Sequence, residues 1–158
     1  MCEEAKKRGI SVSTLISQLA MVSEEAKRSG EVRLSSESIH GILSCATEKD
    51  LAEAGRKLGE AFPQLYLSGT NRSCDYESCY FLLTKVLGDH NNWYDFNVEE
   101  TPETTNFILF DDKKLGSKWL IFIAQYAAAV ARTILNTNVK FQVAADHVLL
   151  EVPKPKKT

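Results

Sequence analysis

The sequence predicts an α+β domain in which helices cover an antiparallel sheet. The hydrophobic period is close to 3.6 residues along most of the chain before Trp93, becomes two after it, and returns to 3.6 between Ser117 and Leu135. A second run with a period of two follows Leu135. The predicted order is therefore N-terminal helices, a hairpin, a long helix and a second hairpin. With 158 residues, 44% of them hydrophobic, the chain is long enough to bury a core without crosslinks.

Helical patterns begin at the N-terminus. Gly9 lies where a helix C-terminus favours a residue that tolerates the left-handed conformation, and Ser11 or Ser13 can cap the helix that follows. From Val12 to Arg28, apolar residues recur along one side of that helix. We predict that residues 1–30 form a separate helical segment.

Two helices are predicted between Ser36 and Pro63. Ser35 or Ser36 can cap the first, and Thr47, followed by acidic residues, is the predicted N-cap of the second. The apolar positions of the second helix predict its buried side: Leu51, Ala54, Leu58, Ala61 and Phe62. Pro63 is predicted to end this helix, with Leu65–Leu67 extended after it.

Gly55 and Gly59 lie about one turn apart within the second of these helices. Two glycines at this spacing permit another backbone to approach closely, although each costs about 1 kcal/mol of helix stability relative to alanine. We expect close packing against another helix, and the alternative is a loop that binds a ligand. The glycines thus predict a helix–helix contact.

A helix and a hairpin are predicted over the next part of the chain. Ser73 or Asp75 can start the helix, and Gly88 is predicted to terminate it. Trp93–Val98 and Asn106–Phe110 alternate as strands do, and the polar residues between them favour a hairpin connection.

The most apolar predicted element is the helix Ser117–Leu135, whose broad apolar arc indicates a central core helix. Val139–Val143 and His147–Val152 then predict a second hairpin. Residues 31–152 are accordingly predicted to form one α+β domain with a dimerisation or sensing role. Residues 153–158 are predicted to be a disordered tail.

Composition limits the classes of partner. A net charge of −2 and a pI near 5.9 argue against a large basic surface for nucleic acid. No uncharged run reaches the roughly 18 to 20 residues that cross a bilayer, so we expect no membrane association. The chain does not open with a signal peptide and its cysteines are few, which favours a reducing cytoplasm: Cys2, Cys45, Cys74 and Cys79.

Cys74, Cys79 and the nearby His90 invite interpretation as a zinc site. The two cysteines do not have the spacing of a close ligand pair, and on a helix they would point about 140° apart. We therefore expect no metal. Cys45 and Cys79 are instead expected to be small buried hydrophobes.

No recognised catalytic motif occurs in the sequence. A nucleophile elbow, a phosphate-binding loop and a dinucleotide-binding glycine motif are all absent, and His40, His90 and His147 lie in no catalytic pattern. The acid pairs Glu99–Glu100 and Asp111–Asp112 are expected in turns, where carboxylates cap and solubilise. We expect a protein without enzymatic activity and without a cofactor.

Aromatic residues are concentrated around the predicted first hairpin and the long helix. Such a set usually packs as a solid core, and the alternative is a pocket for a small apolar ligand. If a pocket exists, we expect it between the hairpin and the helix, near Trp93, Phe107 and Trp119.

The N-terminal pattern of Gly9 and the serines after it resembles the helix–turn–helix portion of the ribbon-helix-helix regulators of the Arc, MetJ and CopG kind. The resemblance implies a homodimeric transcriptional regulator that holds DNA phosphates at the start of its second helix, through Ser11, Val12, Ser13 and Thr14. In that family a strand before the first helix forms the ribbon that reads bases. Here Met1 already lies within the first predicted helix, so we expect base readout only in a longer form of the protein.

The order of elements predicted from Ser73 to Val152 is similar to that of TRAPP-type and vinyl-four-reductase-like domains. This resemblance implies an alternative function, a small-molecule-binding or assembly module that does not bind DNA and uses its first helices as an interaction surface. Both hypotheses predict a homodimer, and DNA binding distinguishes them.

Overall fold

The computed structural model describes residues 35–155 and has the α+β architecture that the sequence predicts. The predictions for residues 1–30, including the DNA-phosphate residues Ser11, Val12, Ser13 and Thr14, lie outside the described part of the chain. Along the described part the elements follow in this order: α1 (Ser36–Cys45), α2 (Glu48–Thr70), α3 (Tyr76–Phe81), a π-helical segment (Leu82–His90), β1 (Asp95–Glu100), β2 (Thr104–Phe110), α4 (Ser117–Leu135), β3 (Lys140–Val143) and β4 (His147–Pro153).

The four strands of the described chain form one antiparallel sheet in the order β1-β2-β4-β3. Both predicted hairpins are confirmed, β1 with β2 and β3 with β4, and they join through β2 and β4. Phe107 lies opposite Leu150 and Leu109 opposite Val148, so alternate residues of the central strands form a buried face.

α4 is the central core helix, and its bounds are those that its apolar arc predicts. It packs most extensively on α2 and also contacts α3, β3 and β4. Among the described helices, α4 alone is long and apolar enough to cross a membrane, yet 61% of that stretch is buried inside the domain. Burial of this kind is typical of the core helix of a folded domain.

α2 continues through Pro63 to Thr70, so the prediction that Pro63 ends the helix is wrong. A proline inside a helix removes one backbone hydrogen bond and costs about 3 kcal/mol. Here Pro63 is itself buried, and the turn beyond it buries Leu67. Because this apolar burial offsets the cost of the proline, Leu65–Leu67 is helical rather than extended.

The start of α2 and the position of its glycine pair agree with the predictions made from the sequence. Thr47 is the N-cap and forms a reciprocal capping box with Asp50. The glycine pair faces α4, which confirms the predicted close packing of two helices. A Cβ atom added at Gly55 would lie 2.5 Å from the carbonyl oxygen of Phe122, so only glycine allows this approach.

The helix predicted to end at Gly88 is capped by Asp75, one of the two predicted N-caps, and then changes its hydrogen bonding. From Leu82 the chain is π-helical, and this segment ends at His90 rather than at the glycine. A Cβ atom added at Gly88 would lie 2.6 Å from the ring of Phe96. The glycine therefore provides space for packing against β1 and does not end the helix.

Lys118, near the start of α4, holds the C-terminal end of α1. Its ammonium group donates to the carbonyl oxygens of Leu43 at 3.0 Å, Ser44 at 3.3 Å and Ala46 at 2.6 Å. The last turn of α1 carries no basic residue of its own. A lysine from another helix thus satisfies carbonyl groups that a helix end leaves without partners.

Candidate functional site

Aromatic side chains form a continuous cluster along one side of α4. Trp93 lies edge-on to Tyr126 with ring centroids 4.9 Å apart and edge-on to Trp119 at 5.9 Å. Trp119 stacks on Phe122 at 5.4 Å and donates its indole N–H to the carbonyl oxygen of Trp93 at 3.2 Å. These are the ring geometries of a packed aromatic core.

The structure brings together two of the three residues predicted to line an apolar pocket. Trp93 and Trp119 belong to the aromatic cluster. Phe107 lies on β2, is 1% exposed and packs against Tyr80 with ring centroids 5.5 Å apart. A ligand pocket near these residues stays a prediction.

Burial sets the chemistry of two tyrosines, Tyr126 within this cluster and Tyr94 in the core. Burial holds the pKa of Tyr94 well above its ordinary value, and its hydroxyl donates to the carbonyl oxygen of Leu83 at 2.7 Å. Burial also raises the pKa of Tyr126. Both phenols therefore stay neutral at physiological pH and act as packed, uncharged groups rather than as bases.

A polar network joins α3 and Lys154, the residue after β4, to strands β1 and β2. The hydroxyl of Tyr76 contacts that of Thr105, which donates to the carboxylate of Glu100 at 3.0 Å. Lys154 pairs with Glu100 and donates to the carbonyl oxygen of Thr101 at 2.7 Å. Because Pro153 is the last residue of β4 and Lys154 is held by these contacts, the prediction that the disordered tail begins at residue 153 is wrong. The hydrogen bond from Lys154 lowers the pKa of Glu100, and burial raises the pKa of Tyr76. Each polar group has a partner, so the network's role is to hold these elements together.

The two predicted acid pairs differ in position. The Asp111 carboxylate accepts from the backbone N–H groups of Leu115 at 3.0 Å and Gly116 at 2.7 Å, so it lies in the turn before α4, as predicted, and holds that turn without capping the helix itself. Glu99–Glu100 lies within β1 and not in a turn, because the strand extends to Glu100. Glu100 belongs instead to the polar network.

The described cysteines fall into two environments. Cys79 is 1% exposed, which confirms its prediction as a buried hydrophobe. The same prediction for Cys45 is wrong, since this thiol is exposed at the last residue of α1, where Leu43 is the residue that faces the core. Cys74 is also exposed. Within residues 35–155, no group of three or more His, Cys, Asp or Glu side chains is placed to hold a metal ion.

We expect an alkylating reagent to modify Cys45 and Cys74 in the folded protein and to spare Cys79. Burial raises the pKa of Cys79 to about 12, so almost none of this thiol is ionised at neutral pH. Iodoacetamide labelling followed by peptide mass spectrometry measures each cysteine separately. Cys79 should react only in denaturant, and native labelling of Cys79 as fast as that of Cys74 would contradict the packing of α3.

An open groove of about 280 Å³ lies between α1 and the loop before α4. Its lining mixes acidic, basic and apolar residues: Ser36, Glu37, His40, Lys113, Lys114 and Leu115. Lys113 already donates to Asp112 at 2.9 Å and to Asn92 at 3.1 Å. The polar lining groups are exposed or half-buried, so this groove does not select one class of ligand.

One side of α2, next to its buried face, is both apolar and exposed. Leu58 is 55% exposed and Leu65 is 75% exposed, whereas they were predicted to be buried and extended, respectively. Leu58 is exposed because Gly55 and Gly59, rather than Leu58, face α4, and Leu65 is helical because α2 continues past Pro63. We call this row the α2 flank: Ala54, Leu58, Ala61 and Leu65.

The residues of the α2 flank are separated by four, three and four positions, the spacing of a coiled-coil seam. This signal was present in the sequence, where the spacing runs unbroken across Pro63. It was missed because the proline was interpreted as the end of the helix. The flank is therefore an exposed apolar row with coiled-coil spacing on the described domain.

Two ion pairs form on the exposed surface of α2, and among their members only Lys57 lies directly beside the α2 flank. Arg56 binds Glu60 at 2.7 Å, and Lys57 binds Glu53 at 2.7 Å. These exposed pairs contribute little stability. The pairing with Glu53 offsets the charge of Lys57 at the edge of the flank.

Comparisons of the chain with protein-family models, with curated proteins and with solved structures found no match.

Proposed function

We propose that this protein is an assembly module, a homodimer in which the α2 flank packs against the same flank of a second copy. The observation that carries the proposal is the exposure of Leu58 and Leu65 at coiled-coil spacing. A partner helix covers apolar residues at this spacing. Because α2 is packed closely on α4, the flank is presented on a rigid element.

A second copy suits the α2 flank in shape and in charge. Large and small side chains alternate along the flank, so the flank of a second copy offers small residues where the first offers large ones. Lys57, at the edge of the flank, is paired with Glu53 of its own helix, so a second copy brings no unpaired lysine against the first. A strongly charged partner would gain little from this neutral edge.

The size of the flank sets the expected affinity. One pair of helices buries less than the roughly 1,200 Å² that stable specific complexes bury. We therefore expect a dissociation constant in the micromolar range, with exchange between monomer and dimer.

The proposal places the protein in the cytoplasm, where the exposed free thiols of Cys45 and Cys74 would stay reduced. It follows the assembly function implied by the resemblance of the element order to TRAPP-type domains. The DNA-binding hypothesis depends on Ser11, Val12, Ser13 and Thr14, and the described domain adds nothing in its favour.

Sedimentation of the full chain at about 1 to 200 µM tests the proposal, because a micromolar dimer dissociates within that range. We expect the average mass to rise toward that of a dimer. The double variant Leu58→Glu/Leu65→Glu should stay monomeric, because dimerisation would bury charged carboxylates at the positions where the leucines pack. Val143→Glu, a matched change at an exposed apolar residue of β3, should dimerise as the native protein does.

Circular dichroism should show the same fold for all three proteins, because the substituted side chains are exposed. A native chain that stays monomeric at the highest concentration would overturn the proposal. Dimerisation of Leu58→Glu/Leu65→Glu with native affinity would equally overturn it.

A further inference from the structure

We infer that the two α2 helices of the dimer run antiparallel, in the register that places Leu58 on the partner's Ala61 and Leu65 on the partner's Ala54. This inference rests on the proposed function and adds the orientation and the register of the interface. It follows from how the four side chains of the α2 flank can be layered.

The antiparallel arrangement gives layers of equal size. A two-fold axis beside residues 59 and 60 pairs a leucine with an alanine in all four layers of the flank. A parallel pair would place Leu58 on the partner's Leu58 and Ala61 on the partner's Ala61. The leucine layers would then hold the helices apart and leave the alanine layers without contact, at a loss of packing energy.

The register follows because the two neighbouring registers, each shifted by one heptad, are less favourable. The shift toward the N-terminus requires Leu51 in the interface, but Leu51 is buried in its own domain. That shift also brings Lys57 opposite the partner's Lys57, which is repulsive. The shift toward the C-terminus places Leu58 on the partner's Ser68, an exposed polar residue.

The inferred register also gives acceptable contacts along the edge of the interface. Lys57 lies opposite the partner's Gln64, whose amide oxygen can accept a hydrogen bond from the ammonium group. Gln64 is exposed and so is free to adjust its side chain. No like charges meet in this arrangement of the flank.

Disulfide crosslinking distinguishes the orientations. Ala54→Cys and Leu65→Cys are made separately in a chain that carries Cys2→Ser, Cys45→Ser and Cys74→Ser. In the antiparallel register, residue 54 lies opposite the partner's residue 65, so two copies of residue 54 are eleven positions, or about 16 Å, apart along the axis. A disulfide requires Cα atoms within about 7 Å.

We expect mild oxidation to crosslink a mixture of the two variants, and to crosslink neither variant alone. Efficient crosslinking of each variant by itself would establish a parallel pair and overturn the inference, while leaving the proposed dimer intact. A dimer by sedimentation that forms no crosslink in any mixture would overturn the inferred register. A monomer by sedimentation would overturn the proposed function itself, so the two failures are distinguishable.

Discussion

Replacing Gly59 by alanine is expected to destabilise the domain by about 2 to 3 kcal/mol, although alanine is the better helix former. The new Cβ atom would lie 2.4 Å from the carbonyl oxygen of Tyr126 and 2.9 Å from the Cβ atom of Ala129. These atoms are backbone, or attached directly to it, so no rotamer change relieves the overlap. α2 and α4 would have to separate along their whole contact.

A matched control lies in the same helix. A Cβ atom added at Gly69 would meet nothing within 4 Å, so Gly69→Ala should leave stability unchanged or raise it by up to about 1 kcal/mol. Gly55→Ala should resemble Gly59→Ala, because its Cβ atom would lie 2.5 Å from a carbonyl oxygen. Urea denaturation followed by circular dichroism measures all three. Equal stability of Gly59→Ala and Gly69→Ala would show that α2 and α4 do not pack as described.

The parts of the fold that depend on local chemistry could be predicted from the sequence. Thr47 caps α2 because its hydroxyl and the Asp50 carboxylate are three positions apart, which is a property of the sequence alone. The bounds of α4 followed in the same way from its apolar arc. Both hairpins were recognisable because alternation has a fixed period.

The parts that depend on long-range burial could not be predicted in this way. Judged from its neighbours in sequence, Pro63 predicts the end of a helix. The helix continues because the turn beyond it buries Leu67 in the core. The π-helical turns after Phe81 have no local signal either. They place Gly88 under the ring of Phe96, a contact between residues that the sequence does not mark as neighbours.

The candidate interface was missed for the same reason as the continuation of α2. Sequence periodicity alone ranks Leu58 as buried, because leucine favours the core. The structure buries Gly55 and Gly59 on that helix instead, since close backbone contact with α4 requires small residues. With Gly55 and Gly59 facing α4, the neighbouring Leu58 lies on another side of the helix and turns outward.

Replacing Lys118 by methionine is expected to cost about 2 kcal/mol of stability and to loosen α1. Methionine keeps the apolar stem but removes the ammonium group that donates to the carbonyl oxygens of Leu43, Ser44 and Ala46. These contacts are partly shielded from water, so the carbonyl groups lose charge-assisted hydrogen bonds that solvent replaces incompletely.

The loss of stability should be accompanied by a local change, because Lys118 joins the start of α4 to the C-terminal end of α1. Hydrogen exchange should accelerate in α1 more than in α4, since α4 keeps its own contacts with α2 and the sheet. Lys85→Met removes an exposed ion pair with Asp89 at 2.7 Å and should change stability by less than about 0.5 kcal/mol. If Lys118→Met and Lys85→Met lose equal stability and leave the exchange of α1 unaltered, the three hydrogen bonds do not hold α1. If α1 alone loosens, this one lysine couples the first described helix to the core.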